Sequence, residues 1–544
     1  MRKFTRTIND LPNELLACIF ALHAVSMGLR YPSQGRRLRE QYWWPFRWLN
    51  ITLVCRRWYD IVFSTAELWR TIKVAERKKT NRAGPVDALE WLNSVLPRTS
   101  KAPLELVFTK AVLACRALPI ILAQSDRLRT LVIRDASSED VRNLNPSPTT
   151  SVFGTTMPFL RNLDLLYPCY MTDDESHFEP YPARLVEICA WRFPSLRILR
   201  LSHLTLADSS LSLFTQLHTL DLRFCNIHGG RTSTDDLLAL LESCPELIEL
   251  QLHLILRTLT PPQSTFKMRK LRKLVLRDAP EHTSSFLSAV SLPANMDKIK
   301  IVGVLPERHD GLDIAGYFSA ILPEDRNAFP WLRTTTTARA ENWISFEADM
   351  PKLQFRTGQG GAGTAVTLKL QYPWHAADGV DNAEPGSVLE NMRALSVLLA
   401  GVPLQRLVID CAFEAVGRTL ERWIEVYAAF PALRELVITG LGPVLEVLPP
   451  IACPGVLSKL DELAIMRVSY RPGLVEAIAG MLARRERLRR PRLRRLTLSV
   501  LPDGDNDEQD YKRAVQAYVL GSASPADKVE WSVCRVEDQL DITW

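Results

Sequence analysis

Arginine is the most concentrated reactive side chain in this sequence: ARRERLRRPRLRRL at 483–496 holds eight of them. Such a run can hold phosphate or act as a nuclear address, provided several guanidinium groups share one face. The preferred reading is plainer: a basic helix end, then an Arg-flanked strand with Leu488, Leu493 and Leu496 in a core. Other chemistry is sparse. The nine histidines are dispersed, with no H-x-x-x-H or H-E-x-x-H pair, so no metal site is expected. GQGGAG at 358–363 resembles a phosphate loop in composition but lacks its lysine and a following helix, and Asp173-Asp174-Glu175 sits in a polar stretch. No G-x-S-x-G elbow is present. The expectation is a non-enzyme without cofactor or metal. The ten cysteines lack C-x-x-C spacing, which fits a reducing compartment, cytoplasmic and/or nuclear.

The elements that must carry any function are more regular. From about residue 100 the phrase L-x-x-L-x-L or a close variant returns at 128, 160, 196, 217, 247 and 271, then at 404, 433, 460 and 493. Several copies follow a proline (FPSLR, CPELI, FPALR, RPRLR), which ends a preceding helix before a strand begins. Helical stretches lie between copies, as in TDDLLALLES at 234–243, SVLENMRALSVLLAG at 387–401 and RTLERWIEVYAAF at 418–430. One strand and one helix per unit of this length looks like a leucine-rich-repeat solenoid, in an irregular form, with a parallel concave sheet and outer helices. LHTLDLRFCN at 217–226 comes nearest to the longer consensus.

Strand alternation sends the leucines inward and the intervening residues to the opposite face. That face would carry Arg200 and Ser202, Asp221 and Arg223, Glu249, Gln251 and His253, then Lys273 and Arg277, a mixed-charge strip suited to an unknown target protein. Residues 301–395 interrupt the phrase and read as degenerate repeats with long connections, with strands at 299–304, 343–348, 353–358 and 366–372 around the flexible TGQGGAGTA. Residues 76–300 and 396–544 then form two parts of the solenoid. The second ends in an acidic loop, DGDNDEQD at 503–510, and a final strand or cap at 528–533.

Two N-terminal blocks stand apart. LPNELLACIF at 11–20 predicts an amphipathic helix with Asn9 and Asp10 as caps, Pro12 in the first turn and a stripe of Leu15, Leu16, Ile19 and Phe20. LVCRRWYDIVFSTAELW at 53–69 predicts a second helix with Ile51, Val54, Cys55, Trp58, Ile61 and Val62 on one face, Arg56, Arg57 and Asp60 lying away from it. A Ser64/Glu67 capping box would open a third, short helix carrying Leu68 and Trp69.

LPxELLxxIF followed by VCRRWxDIxxSTxxLW resembles the F-box signature over about residues 8–73, in the form common among basidiomycete fungal families. The resemblance implies docking on a Skp-type adaptor, and through it on a cullin, by Leu11, Pro12, Leu15, Ile19, Phe20, Val54, Cys55, Trp58 and Trp69. It makes the chain a substrate-recognition subunit of an SCF-type ubiquitin ligase. The alternatives are a repeat scaffold that holds the adaptor without ubiquitin transfer, or an Arg-rich nucleic-acid binder. Residues 23–47 look like an insertion between the blocks, and Ala66-Glu67 replaces the proline that often precedes Leu-Trp. A net charge of +6, no run of about 20 apolar residues and no apolar leader predict neither membrane span nor secretion signal.

Overall fold

In the computed structural model, residues 8–28, 47–74, 88–134, 143–144, 151–166, 185–207, 215–227, 234–256, 265–304, 314–322, 335–343, 350–357, 365–371, 388–399, 401–410, 420–439, 444–469, 473–501, 505–515 and 526–533 are described. They fall into two compact units, 8–247 and 248–533. The division falls within the copy of the phrase at 247–252, after its first leucine, and not at 300 or 395.

The first unit opens with helices. A single 3-10 turn, Ile8–Asp10, precedes helix α1 (Asn13–Gly28). The 3-10 helix Arg47–Leu53 leads to α2 (Arg56–Ser64), and a four-residue 3-10 helix, Ala66–Trp69, closes the group. Its core is Leu16, Phe20, Ile61, Val62, Leu68 and Trp69. Strand β1 (Thr71–Val74) then follows with no linker and pairs in parallel with β2 (Leu104–Phe108). Four more parallel strands extend the sheet in chain order: β3 (Leu128–Arg134), β4 (Asn162–Leu166), β5 (Ile198–Ser202) and β6 (Thr219–Arg223).

The leucine phrase builds this sheet. Its register aligns Ile72, Leu106, Leu131, Leu163, Leu199 and Leu220 into one column, every member at most 2% exposed. Each such leucine is worth roughly 1.5–3 kcal/mol on full burial. A single strand cannot supply its own cover, so the neighbours in the stack supply it. The proline before the phrase has a defined role. In MPFL, FPSL, CPEL and FPAL the residue ahead of the proline is buried, and its carbonyl accepts the amide of the leucine three places on: Leu160 to Met157, Leu196 to Phe193, Leu247 to Cys244, Leu433 to Phe430, all at 3.1–3.2 Å. Proline ends the preceding segment, and this turn aims the first leucine inward.

After β5 and β6 the chain turns through left-handed residues, His203 (φ 58°) and Phe224 (φ 52°), whose rings stack at 4.8 Å. The turn starts a second, three-strand parallel ladder of Leu185–Val186, Thr205–Leu206 and Asn226–Ile227.

The second unit starts with parallel strands β7 (Glu249–His253), β8 (Lys273–Asp278) and β9 (Lys298–Val304). The interruption at 301–395 then changes direction. Strands β10 (Thr335–Trp343), β11 (Met350–Thr357) and β12 (Ala365–Gln371) enter in reverse spatial order: β12 lies parallel to β9, and β11 is antiparallel to both β12 and β10. A meander therefore stands where parallel degenerate repeats were expected. β10 hands the sheet on, in parallel, to β13 (Arg406–Asp410), β14 (Glu435–Thr439), β15 (Glu462–Ser469), β16 (Leu493–Leu501) and β17 (Ala526–Val533).

All ten copies of the phrase coincide with a strand, and the three expected helices form at Thr234–Glu242, Val388–Leu398 and Leu420–Ala428. Other expectations change. The acidic tail loop is a helix, Asp505–Ala514, whose last turn holds Lys512 and Arg513 at the negative end of the helix dipole. The strand expected at 343–348 is Thr335–Trp343, and 344–349 lie outside the described residues. So do GQGGAG and Asp173–Glu175. Residues 23–28 belong to α1 and not to the insertion, of which 29–46 are outside the described residues.

Candidate docking surface of the N-terminal helices

Helix α1 begins just after Pro12, whose carbonyl accepts the Leu16 amide at 3.1 Å. Asn9 and Asp10 fall in the preceding 3-10 turn, ahead of the start of α1 at Asn13. The apolar residues of α1 divide into two stripes. Leu16 and Phe20, four apart, face the core at 0% and 2% exposure. Leu15, Ile19 and Leu22, at the same helical spacing, are 51%, 39% and 71% exposed. α1 is thus apolar on two sides, one of them in water.

The second block breaks where a continuous face was expected. The 3-10 helix ends at Leu53, Cys55 is extended, and α2 starts at Arg56. Leu53 and Val54 at the break are 82% and 57% exposed, and Tyr59 on α2 is 48% exposed. α1 packs against both the 3-10 helix and α2. The Phe20 and Trp58 rings meet at 4.9 Å.

Arg57 was expected to lie away from the apolar face. Its guanidinium joins the two blocks: Nε and Nη2 donate to Asn13 Oδ1 at 2.9 and 2.8 Å, and Nη2 to the Leu11 carbonyl at 2.6 Å. It satisfies polar groups at the start of α1 and fixes the entry of the chain at Leu11-Pro12. The Ser64/Glu67 capping box does not form. Ser64 Oγ donates to the Asp60 carbonyl and Thr65 Oγ1 to that of Ile61, both at 2.7 Å, which ends α2 without opening the next helix.

Trp69 is 1% exposed, its Nε1 donating to the Val62 carbonyl at 2.9 Å. Arg98, from the 3-10 helix Leu96–Thr99, lies 4.9 Å from the Trp69 ring and 4.7 Å from Phe63. Arg98 is exposed, and an arginine–aromatic contact at an exposed site adds about 0.5–1 kcal/mol, tying the helices to the following segment.

The nine residues singled out from sequence therefore separate. Pro12, Leu15, Ile19 and Val54 are exposed, and Leu11, Cys55 and Trp58 are half-buried. Phe20 and Trp69 are core residues that shape the surface from beneath. Leu22, Leu53 and Tyr59 were missed. Leu22 continues the Leu15–Ile19 stripe and was findable by spacing, whereas Leu53 depends on a helix break that periodicity does not mark.

The sheet face expected to meet a target also divides. In the first unit Asp221 is 0% exposed and held by Arg223 through two bonds of 2.9 and 2.8 Å, so it does not face water. Arg200 reaches Asp164 at 3.3 Å, and Ser202 Oγ donates to the Leu165 carbonyl. Burial pushes the Asp164 carboxyl up despite Arg200 and Arg134. In the second unit Glu249 accepts from both Gln251 and Lys273, while His253 and Arg277 are half-buried.

Four of the eight arginines in the run have side-chain partners. Arg485 is 3% exposed, donates toward the carbonyls of Ile451 and Leu460, and burial lowers its pKa to about 10. Arg492 pairs with Glu486, and Arg494 and Arg495 with Glu462. Leu493 and Leu496 are core residues as expected, but Leu488 is 38% exposed. Among the described residues no His/Cys/Asp/Glu group could hold a metal ion, and no helix is long and apolar enough to cross a membrane. The buried thiols of Cys225 and Cys244 are pushed up to about 12 and about 11 by desolvation, so neither is a ready nucleophile.

With this geometry in view, the family comparison is specific: the F-box-like family model matches residues 8–75. The chain carries an F-box-like domain over the N-terminal helices and β1. Domains of this kind generally bind Skp-type adaptors and point to a recognition role in SCF-type assemblies. No curated protein matches the chain.

Proposed function

We propose that this chain is a non-enzymatic substrate receptor of an SCF-type ubiquitin ligase. In this reading it docks on a Skp-type adaptor, through it on a cullin, and works in the cytoplasm or nucleus. The observation that carries the proposal is the outward stripe of Leu15, Ile19 and Leu22 together with Leu53, Val54 and Tyr59, inside the matched F-box-like domain. Such a concentration of water-facing apolar side chains gains free energy only when a partner covers it. The remainder of the chain we read as an irregular leucine-rich-repeat solenoid, supported by the in-register leucine columns and the recurrent x-Pro-x-Leu turn. Its part is to hold a target near the ubiquitin-loaded partner, so that proximity supplies the rate.

The test is capture of purified Skp-type adaptor by the full chain, followed by recovery of cullin and ubiquitination of co-purified protein. Pro12→Ala with Leu15→Asp is expected to abolish capture. Undiminished capture sinks the docking assignment. Adaptor and cullin recovery without ubiquitin transfer would favour the scaffold alternative.

A further inference from the structure

The residue just ahead of each strand, second in the leucine phrase, is filled differently in the two units. In the second unit its charges are met by carboxylates: Arg272 pairs with Asp297 at 3.6 Å, Arg434 with Asp461 at 3.8 Å, and Arg494 with Glu462. In the first unit the same row reads Arg129, Arg161, Arg197 and His218. Backbone bonds make them neighbours. The Arg161 amide donates to the Arg129 carbonyl at 2.8 Å, Arg197 to Arg161 at 2.9 Å, and His218 to Arg197 at 2.8 Å. Adjacent strands lie about 4.8 Å apart, so cation follows cation along this edge.

Arg161 and Arg197 are exposed, and Arg129 is half-buried. Among the described residues none of these three guanidinium groups has a hydrogen bond, an ion pair or a ring contact. His218 differs, its Nδ1 lying 2.6 Å from the Gln216 carbonyl. The segments that enter β3, β4, β5 and β6, at 124–128, 151–161, 185–197 and 215–218, are all described, and they hold two acids. Glu187 pairs with Arg192 at 3.1 Å, and the charge of Asp126 acts on Arg127. On β2, Glu105 is engaged by Arg70 and Thr71. Like charges side by side on a sheet are unfavourable, and an anionic partner relieves that repulsion.

Two aromatic rings stand in water on the same turns: Phe159 is 56% exposed and Trp191 63%. In the other copies of the x-Pro-x-Leu turn the place of Phe159 is taken by Ser195, Glu246 and Ala432, and that of Trp191 by Thr155, Glu242 and Ala428. The two turns are tied together. The Met157 amide donates to the Arg192 carbonyl at 2.9 Å, and Ser195 Oγ to the Pro158 carbonyl at 2.7 Å. The Arg192 guanidinium lies over the Trp191 ring at 4.4 Å and is itself held by Glu187 and the Phe153 carbonyl. Trp191 is thus braced from one side while most of its surface meets solvent.

We propose that this edge of the first unit, Arg129, Arg161 and Arg197 with Phe159 and Trp191, binds single-stranded nucleic acid. The guanidinium groups pair with phosphates and the two rings carry bases. An acidic peptide would use the arginines and leave both rings in water, whereas a nucleotide chain uses both. Stacking on a side chain needs unstacked bases, which favours a single strand over a duplex. This role goes beyond adaptor docking, which involves none of these side chains.

The test uses the full chain and a fluorescently labelled single-stranded oligonucleotide of about 12 nucleotides, as RNA and as DNA, with the duplex of the same sequence and an oligoglutamate peptide as competitors. The single strand is expected to bind at least about tenfold more tightly than either competitor, with a log–log salt slope of about −2 from three phosphate contacts. Arg161→Gln with Arg197→Gln should bring that slope to about −0.7, and Arg161→Lys with Arg197→Lys should keep it near −2. Phe159→Ala with Trp191→Ala should weaken binding at least about tenfold and leave the slope unchanged. All these side chains except that of Arg129 are exposed, so unfolding temperature and adaptor capture should stay as they are. Failure of the single strand to bind overturns the proposal, as does equal binding of the duplex. Tighter binding of oligoglutamate overturns it in favour of an acidic protein partner. Binding that survives both the arginine and the aromatic changes also overturns it, whichever other basic stretch carries it.

Discussion

The N-terminal helices and the parallel sheet use the same apolar residue types to opposite ends. Seven of the fourteen exposed large apolar side chains among the described residues lie in the helical segment: Ile8, Leu15, Ile19, Leu22, Leu53, Val54 and Tyr59. In the sheet of the first unit, the aligned leucines are at most 2% exposed. Each inner strand of that sheet has a parallel neighbour on both sides, so its inward residues pack against those of the next strands within the chain. The helical segment has a thin core that takes one apolar stripe of α1 and leaves the other in water. The aligned residues of the sheet are buried within the chain, whereas part of the apolar surface of the helical segment is left in water.

This contrast makes unequal predictions, and the largest is in binding. Leu15→Asp with Val54→Asp should weaken adaptor capture by about 4 kcal/mol, or about a thousandfold, with little change in unfolding temperature, because both side chains already face water. A comparable loss of thermal stability would erase the distinction. The converse substitution is Leu222→Ala, at a site with 0% exposure, which should cost about 3 kcal/mol of stability by leaving a cavity in the stack. Adaptor capture by the folded fraction should be unaffected, as judged by binding titration below the melting transition.

A pH effect separates the regions further. His203, beside Phe224 in the turn after β5, has its pKa lowered by desolvation to about 4. The unfolded chain takes up a proton near pH 6.5 that the folded chain refuses. Stability from this site is therefore full above about 6.5 and falls as pH drops toward about 4, by about 2 kcal/mol after discounting for its remaining exposure. His203→Asn tolerates the left-handed backbone and should flatten that dependence in denaturant titrations. A slope that persists in the variant would assign the effect elsewhere. The smallest effect is at the clamp. Arg57→Ala removes the bonds to Asn13 and the Leu11 carbonyl and should cost about 1–2 kcal/mol, seen as earlier hydrogen exchange at the start of α1. Unchanged exchange there would show that α1 is positioned by its apolar face alone.

Legibility in the sequence followed the range of the forces involved. The phrase L-x-x-L-x-L marks strands because period-two burial is written locally, and all ten copies became strands. The antiparallel meander of β10 to β12 was not legible, since pairing direction depends on which distant strands meet and not on the residues within one. Phe20 and Trp69 illustrate the same limit at the site. Their motif positions match the F-box pattern, yet whether an aromatic supports a surface from below or forms it depends on what packs behind it. For Trp69 that includes Arg98, twenty-nine positions away.

Charged residues show the limit most clearly. Alternation puts Asp221 and Lys273 on the polar side of their strands, but it cannot show that Asp221 is held by Arg223 on its own strand and Lys273 by Glu249 on the neighbouring one. By itself the sequence determined the paired N-terminal blocks, the strand positions and the leucine side of each strand, because these rest on spacing within a few residues. The tertiary structure decided which apolar stripe of α1 meets water, that Arg57 joins the two blocks, and which carboxylates the paired cations of the sheet meet. Those outcomes depend on neighbours brought together by folding, and electrostatic and packing energies are set by distance in space.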